Sequence, residues 1–128
     1  MTRSGRVFLR WLVVVGIAGI IYIVSDLPKP AVSVHLFPHA DKVAHFVVYA
    51  VLAMALFRAL WTDPSRPTPV GVLLLGVVLA TLYGVSDEFH QSFSGRDFDV
   101  IDMVADGLGA AVAAALWDPL TARYDDLR

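Results

Sequence analysis

The chain has 128 residues, of which 57% are hydrophobic and 17% charged; soluble domains carry about 25% charged residues, so the composition points to one small membrane-embedded domain. A formal net charge of −2 gives nucleic-acid binding no support. The absence of cysteine excludes disulfides, thiolate metal sites and thiol catalysis.

A spanning helix needs about 20 mostly apolar residues, and four stretches meet or approach that length. Val7–Ser25 comes first, with Arg3 and Arg6 ahead of it in the manner of a secretory signal. Its apolar run is too long for a signal core, and SDLPKP offers no small-residue cleavage pattern, so a retained helix is expected. Val43–Trp61, Val70–Gln91 and Val100–Trp117 follow. The connections LPKPAVSVHLFPHA, TDPSRPTP and SFSGRDFD are rich in helix-breaking and charged residues. The fold class expected is all-α: one polytopic domain over residues 1–128 with four transmembrane helices.

Direction follows from the basic residues. Arg3, Arg6, Arg10, Arg58, Arg66, Arg123 and Arg128 flank one side of this arrangement, against Lys29, Lys42 and Arg96 on the other. The positive-inside rule then puts both termini in the cytoplasm, with Trp11, Trp61 and Trp117 as anchors at the same interface. A multi-pass protein of the bacterial inner membrane is expected. The short tail Asp125–Arg128 reads as frayed.

With that orientation, three spans carry polar side chains at their outer ends. Lys42, His45 and Tyr49 share one face of the second span, and Tyr83, Asp87 and Gln91 one face of the third. Asp99, Asp102 and Asp106 do so on the fourth, with Asp106 about 10 Å along the helix from Asp99. Charge in hydrocarbon costs about 2.5–3.5 kcal/mol per group on insertion scales, so the expected arrangement turns these stripes toward a shared wet cavity. Blander readings stand beside this one. Asp41 and Asp99 sit where helices begin and suit N-caps, and Asp102 resembles a shortened capping-box acid. Tyr49 and Tyr83 suit packing or interface roles, His35 and His39 suit a solvated loop, and His90 falls off the stripe toward the surface. His45, Glu88 and Asp106 lie inside spans and away from caps, which favours a functional role. The small-residue run GLGAAVAAA reads as a close-packing surface, and Gly16, Gly19, Gly71, Gly76 and Gly84 as modest contributors to the same end.

Around the outer mouth stand Asp41, Asp87, Glu88, Asp97, Asp99, Asp102 and Asp106, against Lys42 and Arg96. Three outcomes remain open. Neighbouring carboxylates share protons; or a divalent cation sits among them, Mg²⁺, Ca²⁺ or Mn²⁺ on oxygens alone and Zn²⁺ or Fe²⁺ with His45; or the two bases pair with some of the acids. No HExxH, G-x-S-x-G or Walker loop is present.

These residues resemble the VanZ-like family of small bacterial membrane proteins. The resemblance runs through DKVAHFVVYAVLA (residues 41–53) and YGVSDEFHQSFSGRDFDVIDMVADGLGA (residues 83–110). It implies a binding set of Asp41, Lys42, His45, Tyr49, Asp87, Glu88, Gln91, Arg96, Asp102 and Asp106, together with Gly109. Two departures are visible: Asp106 stands where many members have Asn, and SFSGR lacks the proline that many place before Gly-Arg. The family's namesake is associated with resistance to the glycopeptide teicoplanin at the cell envelope. Three functions follow as expectations. One is binding of an anionic lipid headgroup or lipid-linked cell-wall component through Lys42, Arg96, His45 and Tyr49. The second is a metal-dependent intramembrane enzyme acting on lipid or polyprenyl phosphates, with His45, Glu88, Asp102 and Asp106 holding the ion and carrying catalysis. The third is a proton- or cation-coupled transporter built as an oligomer.

Overall fold

The computed structural model describes residues 2–27, 37–63 and 65–125; Lys29, His35 and Arg128 lie outside these. Among the described residues there are four α-helices: α1 (Arg3–Asp26), α2 (Ala40–Leu60), α3 (Val70–Phe93) and α4 (Val100–Asp125). All four are long and apolar enough to cross a membrane, and each contains the stretch expected from hydropathy, save that Trp61 lies just past the end of α2 as its extended C-cap. α4 runs beyond Trp117 and through Pro119 to Asp125, so Asp125 is helical rather than frayed.

The local reasons for these helices are conventional. Thr2 caps α1 by accepting from the Gly5 amide at 3.2 Å, and apolar runs without breakers carry each helix across. α3 ends where Gly95 adopts φ +75°. The Arg96 amide then donates to the Gln91 carbonyl at 3.1 Å, the reverse bond of a Schellman motif. α2 departs from expectation at its start. Its N-cap is His39, in the left-handed region at φ 64° and without a side-chain cap bond. Asp41 therefore lies in the first turn and pairs with Lys42 instead of capping. The expected cap at Asp99 is present: its carboxylate accepts from the Ile101 amide at 2.8 Å.

The helices alternate in direction, as cross-contacts at both ends establish. Arg10, near the start of α1, donates to the carbonyls of Arg58 and Trp61 at the end of α2. At the other end, Lys42 at the start of α2 meets Asp99 and Asp102 at the start of α4. α2, α3 and α4 pack mutually, the α2–α4 pairing being the most extensive, and α1 lies against α2 and α3. Lipid tails are as apolar as the side chains themselves, so close van der Waals fit rather than water exclusion must hold such a bundle together. Ala53, Ala80, Ala110 and Ala113 are almost fully buried, and a Cβ at Gly109 would overlap the Phe46 carbonyl. Gly76 faces the Phe57 ring and Gly84 faces Asp106. Among the described residues, Gly16, Gly19 and Gly71 have nothing near enough to meet a Cβ, so the packing role expected of them is not seen there. Outward-facing Phe8, Leu12, Val15, Ile20, Leu74 and Val78 supply the apolar exterior that a bilayer requires.

Candidate functional site

Lys42 anchors the polar end of the bundle. Its ammonium lies 3.1 Å from Asp41, 2.5 Å from Asp99 and 2.5 Å from Asp102. An ammonium has three N–H donors, and three carboxylates match them. The Asp99 carboxyl, at the surface before α4 begins, is held below the usual carboxylate range chiefly by the hydrogen bond from Lys42.

One turn further into the bundle, His45 sits between two acids. Its Nδ1 is 2.9 Å from Asp106 Oδ1, and its Nε2 is 3.6 Å from Asp102 Oδ2. The first is a hydrogen bond; the second is too long for one. Glu88 arrives from α3 and accepts from the Asp99 amide at 2.9 Å through Oε2. Exposure falls steadily with depth: the side chain of Asp41 is 59% exposed, Asp99 35%, Lys42 20%, His45 14% and Asp106 0%. Among the described residues, Glu88 Oε1 and Asp106 Oδ2 are buried without a hydrogen-bond partner. Oriented acceptors without partners are costly to bury. Three facing helices thus place five carboxylates around one ammonium and one imidazole, and even a protonated His45 leaves an acidic excess.

That set could hold a cation. One ligand atom each from His45, Glu88 and Asp102 lies within 4.8 Å of the others. Two donors each about 2.0–2.2 Å from a common ion stand roughly 3–3.6 Å apart, which matches the His45–Asp102 separation. Asp106 holds the far nitrogen of the same imidazole, the carboxylate–histidine relation by which metal-bound imidazoles are oriented.

The stripe expected on the third span divides. Glu88 enters the His45 cluster, whereas its neighbour Asp87 turns about 100° away and accepts a short hydrogen bond from Ser25 of α1. Gln91 Nε2 donates to Asp87 at 3.1 Å, and the Tyr83 hydroxyl donates to the Ala18 carbonyl at 2.6 Å. This second, buried pool ties α3 to α1. The Tyr49 ring lies between the pools, 1% exposed, with its ring centroid 6.3 Å from that of His45 and 6.4 Å from that of Tyr83. His90 is half-buried rather than at the surface: it stacks on Tyr22 at 4.2 Å, with Nε2 3.3 Å from Asp26. That approach is a close contact without hydrogen-bond alignment, since the same nitrogen has no hydrogen-bond partner among the described residues. Ser25 and Asp26 escaped sequence reasoning; the available signal was two polar residues closing an apolar run. Arg96 is half-buried, its Nε lacks a partner, and it makes no ion pair among the described residues. Asp97 is exposed and stands apart from both pools.

The architecture defines a class: a multi-pass helical membrane protein with an acid–imidazole cluster buried near one end. The VanZ/LLP1 family model matches residues 6–121, so nearly the whole chain is covered, and the chain belongs to that family. A Schizosaccharomyces pombe protein named as uncharacterized, C11E3.10, is 36% identical over 80 residues, or 62% of this chain and 47% of that protein. The chain therefore spans about half the length of this curated relative. No solved structure matches.

Proposed function

We propose that the protein holds a divalent cation in the His45–Glu88–Asp102 cluster and uses it to bind the phosphate of a membrane lipid at the polar end of the bundle. The observation that carries this is the conjunction of three ligand atoms within 4.8 Å with an imidazole already oriented by Asp106. The unsatisfied Glu88 Oε1 and Asp106 Oδ2 add support, because a cation removes the cost of burying them.

Direct capture of an anion by Lys42 is the weaker reading, since its three donors already face Asp41, Asp99 and Asp102. A bound cation offsets part of the acidic excess and offers a coordination position that a phosphate oxygen can fill. Arg96, beside the cluster in sequence and without an ion pair, is the residue placed to add a second contact to that phosphate. The lipid-linked cell-wall precursor is one member of this substrate class, and tolerance to teicoplanin would follow from engaging it. Within this reading the polar end faces outward, both termini lie in the cytoplasm, and the membrane is the bacterial inner membrane.

Purified protein, stripped with chelator and titrated with Mn²⁺ or Zn²⁺, should take up one ion per chain. Glu88→Gln and Asp102→Asn should abolish uptake, and Asp41→Asn should leave it intact. A phosphate-headgroup lipid should then bind only with the ion present, and a phosphate-release assay on the same samples reads whether the ion also activates water. Equal metal content in wild type and Glu88→Gln would defeat the proposal.

A further inference from the structure

The other end of the bundle carries a different kind of surface. Between the start of α1 and the end of α2 lies a recess of about 260 Å³ lined by Arg6, Leu9, Arg10, Val13, Ala55 and Arg58. A second recess of about 300 Å³ adjoins it through Arg6 and Arg10 and reaches Arg3 and Asp63. Four arginines and one aspartate therefore face a common hollow.

Arg10 is fixed there. Its Nη1 donates to the carbonyls of Arg58 and Trp61 at 3.2 and 3.3 Å, capping the C-terminus of α2 with a cation where the helix dipole favours one. Its other nitrogens make no hydrogen bond among the described residues. The Arg58 side chain likewise makes neither hydrogen bond nor ion pair among them, although it stands across the recess from Arg10. Asp63 is the acid that faces the recess: its carboxylate accepts from the Ser65 amide and hydroxyl at 3.0 and 2.6 Å and lies 3.8 Å from Arg66 Nε. With four arginines to one aspartate, the charge facing the hollow is net positive. Below the arginines the walls become apolar, with Leu9 and Val13 each 49% exposed and Ala55 between the helices. Trp61 and Trp117 mark the interfacial level nearby, through Nε1 bonds to the Arg66 carbonyl at 3.3 Å and the Thr68 hydroxyl at 2.8 Å.

We infer that this recess is a binding site for an anionic glycerophospholipid, with its phosphate between Arg10 and Arg58 and an acyl chain along Leu9, Val13 and Ala55. Guanidinium groups suit phosphate because their planar N–H pairs match its oxygens. Apolar walls leading from the charge toward the bilayer suit a headgroup with its chain attached, rather than a free anion. The site is independent of the acid–imidazole cluster at the far end and needs no metal.

The test is lipid retention by the full chain in detergent, read by native mass spectrometry and by thermal stability. Phosphatidylglycerol should be retained and should raise the unfolding temperature; phosphatidylcholine should do neither. Arg58→Gln should weaken phosphatidylglycerol retention about tenfold. Arg66→Gln, which removes equal charge from the same end outside the recess and reaches it only by unpairing Asp63 at 3.8 Å, should weaken retention less than Arg58→Gln does. Asp63→Asn should retain more lipid than wild type, a gain that a damaged fold cannot give. Equal retention of phosphatidylcholine, or matching losses in Arg58→Gln and Arg66→Gln, would overturn the assignment. So would unchanged retention in Asp63→Asn. Inorganic phosphate that stabilises the protein as well as phosphatidylglycerol would show a free-anion site and also overturn it. Chelator treatment should leave all these results unchanged, which separates them from the fate of the proposed metal site.

Discussion

His45 illustrates how much a single position depends on its neighbours. From sequence it is one imidazole in a greasy helix; in the fold, Asp106 holds Nδ1 at 2.9 Å and leaves Nε2 facing Asp102. Partners of this kind are worth about 10–100-fold in metal affinity. Asp106→Asn should therefore lower the affinity for Mn²⁺ or Zn²⁺ by that factor without abolishing binding, whereas Glu88→Gln removes a ligand and should abolish uptake. Competition against a metal-indicator dye would separate the two. Asp99 makes a pH prediction. Lys42 holds its carboxyl below the ordinary carboxylate value, so its stabilising contribution is complete above the unfolded pKa of about 3.9. That contribution is lost as pH falls through the lower, folded value. Unfolding temperature in detergent should be flat from about pH 7 to 5 as far as Asp99 is concerned. Its fall in stronger acid should be shallower in Asp99→Asn.

Glycines separate the elements that pack from those that face outward. Gly109 lies where α4 presses on the backbone of α2 at Phe46. Backbone cannot yield as a side-chain tip can, so Gly109→Ala should cost at least the ~1–3 kcal/mol typical of overpacking. Gly76→Ala should cost a similar amount, because its methyl would meet the buried Phe57 ring, itself edge-on to Trp117. Gly16→Ala meets nothing and should be neutral or stabilising by up to about 1 kcal/mol through helix propensity. Thermal unfolding of the three variants in one detergent tests the set. At the same scale, Ser25 and Tyr83 fasten α1 to α3. Ser25→Ala leaves Asp87 with one partner fewer and should loosen α1 first, seen as faster hydrogen exchange in α1 than in α2 or α4.

As a whole, the molecule is polarised along its helix axes. One end gathers Asp41, Lys42, His45, Glu88, Asp99, Asp102 and Asp106; the other gathers Arg3, Arg6, Arg10 and Arg58. An alternating four-helix path puts the start of α1 and the end of α4 at the arginine end. The proposed orientation then predicts that reporters fused to either terminus register the cytoplasm, while a reporter placed between α3 and α4 registers the opposite side. Opposite readings at the two termini would contradict the alternating path itself.

The number of helices and their approximate limits were legible in the sequence, because crossing a bilayer demands long unbroken apolar runs. The candidate cluster was legible for a related reason: charge inside such runs is costly, so His45, Glu88 and Asp106 stood out against their surroundings. Only the tertiary structure decided which carboxylates meet. Adjacent residues on a helix point about 100° apart, and this alone sends Glu88 to His45 and Asp87 to Ser25. Hydropathy along one helix is blind to which neighbour lies on each side. The same limit hid the difference between Gly109, pressed on Phe46, and Gly16, facing outward, and it hid the meeting of Arg10 with Arg58 from residues 48 apart in the chain.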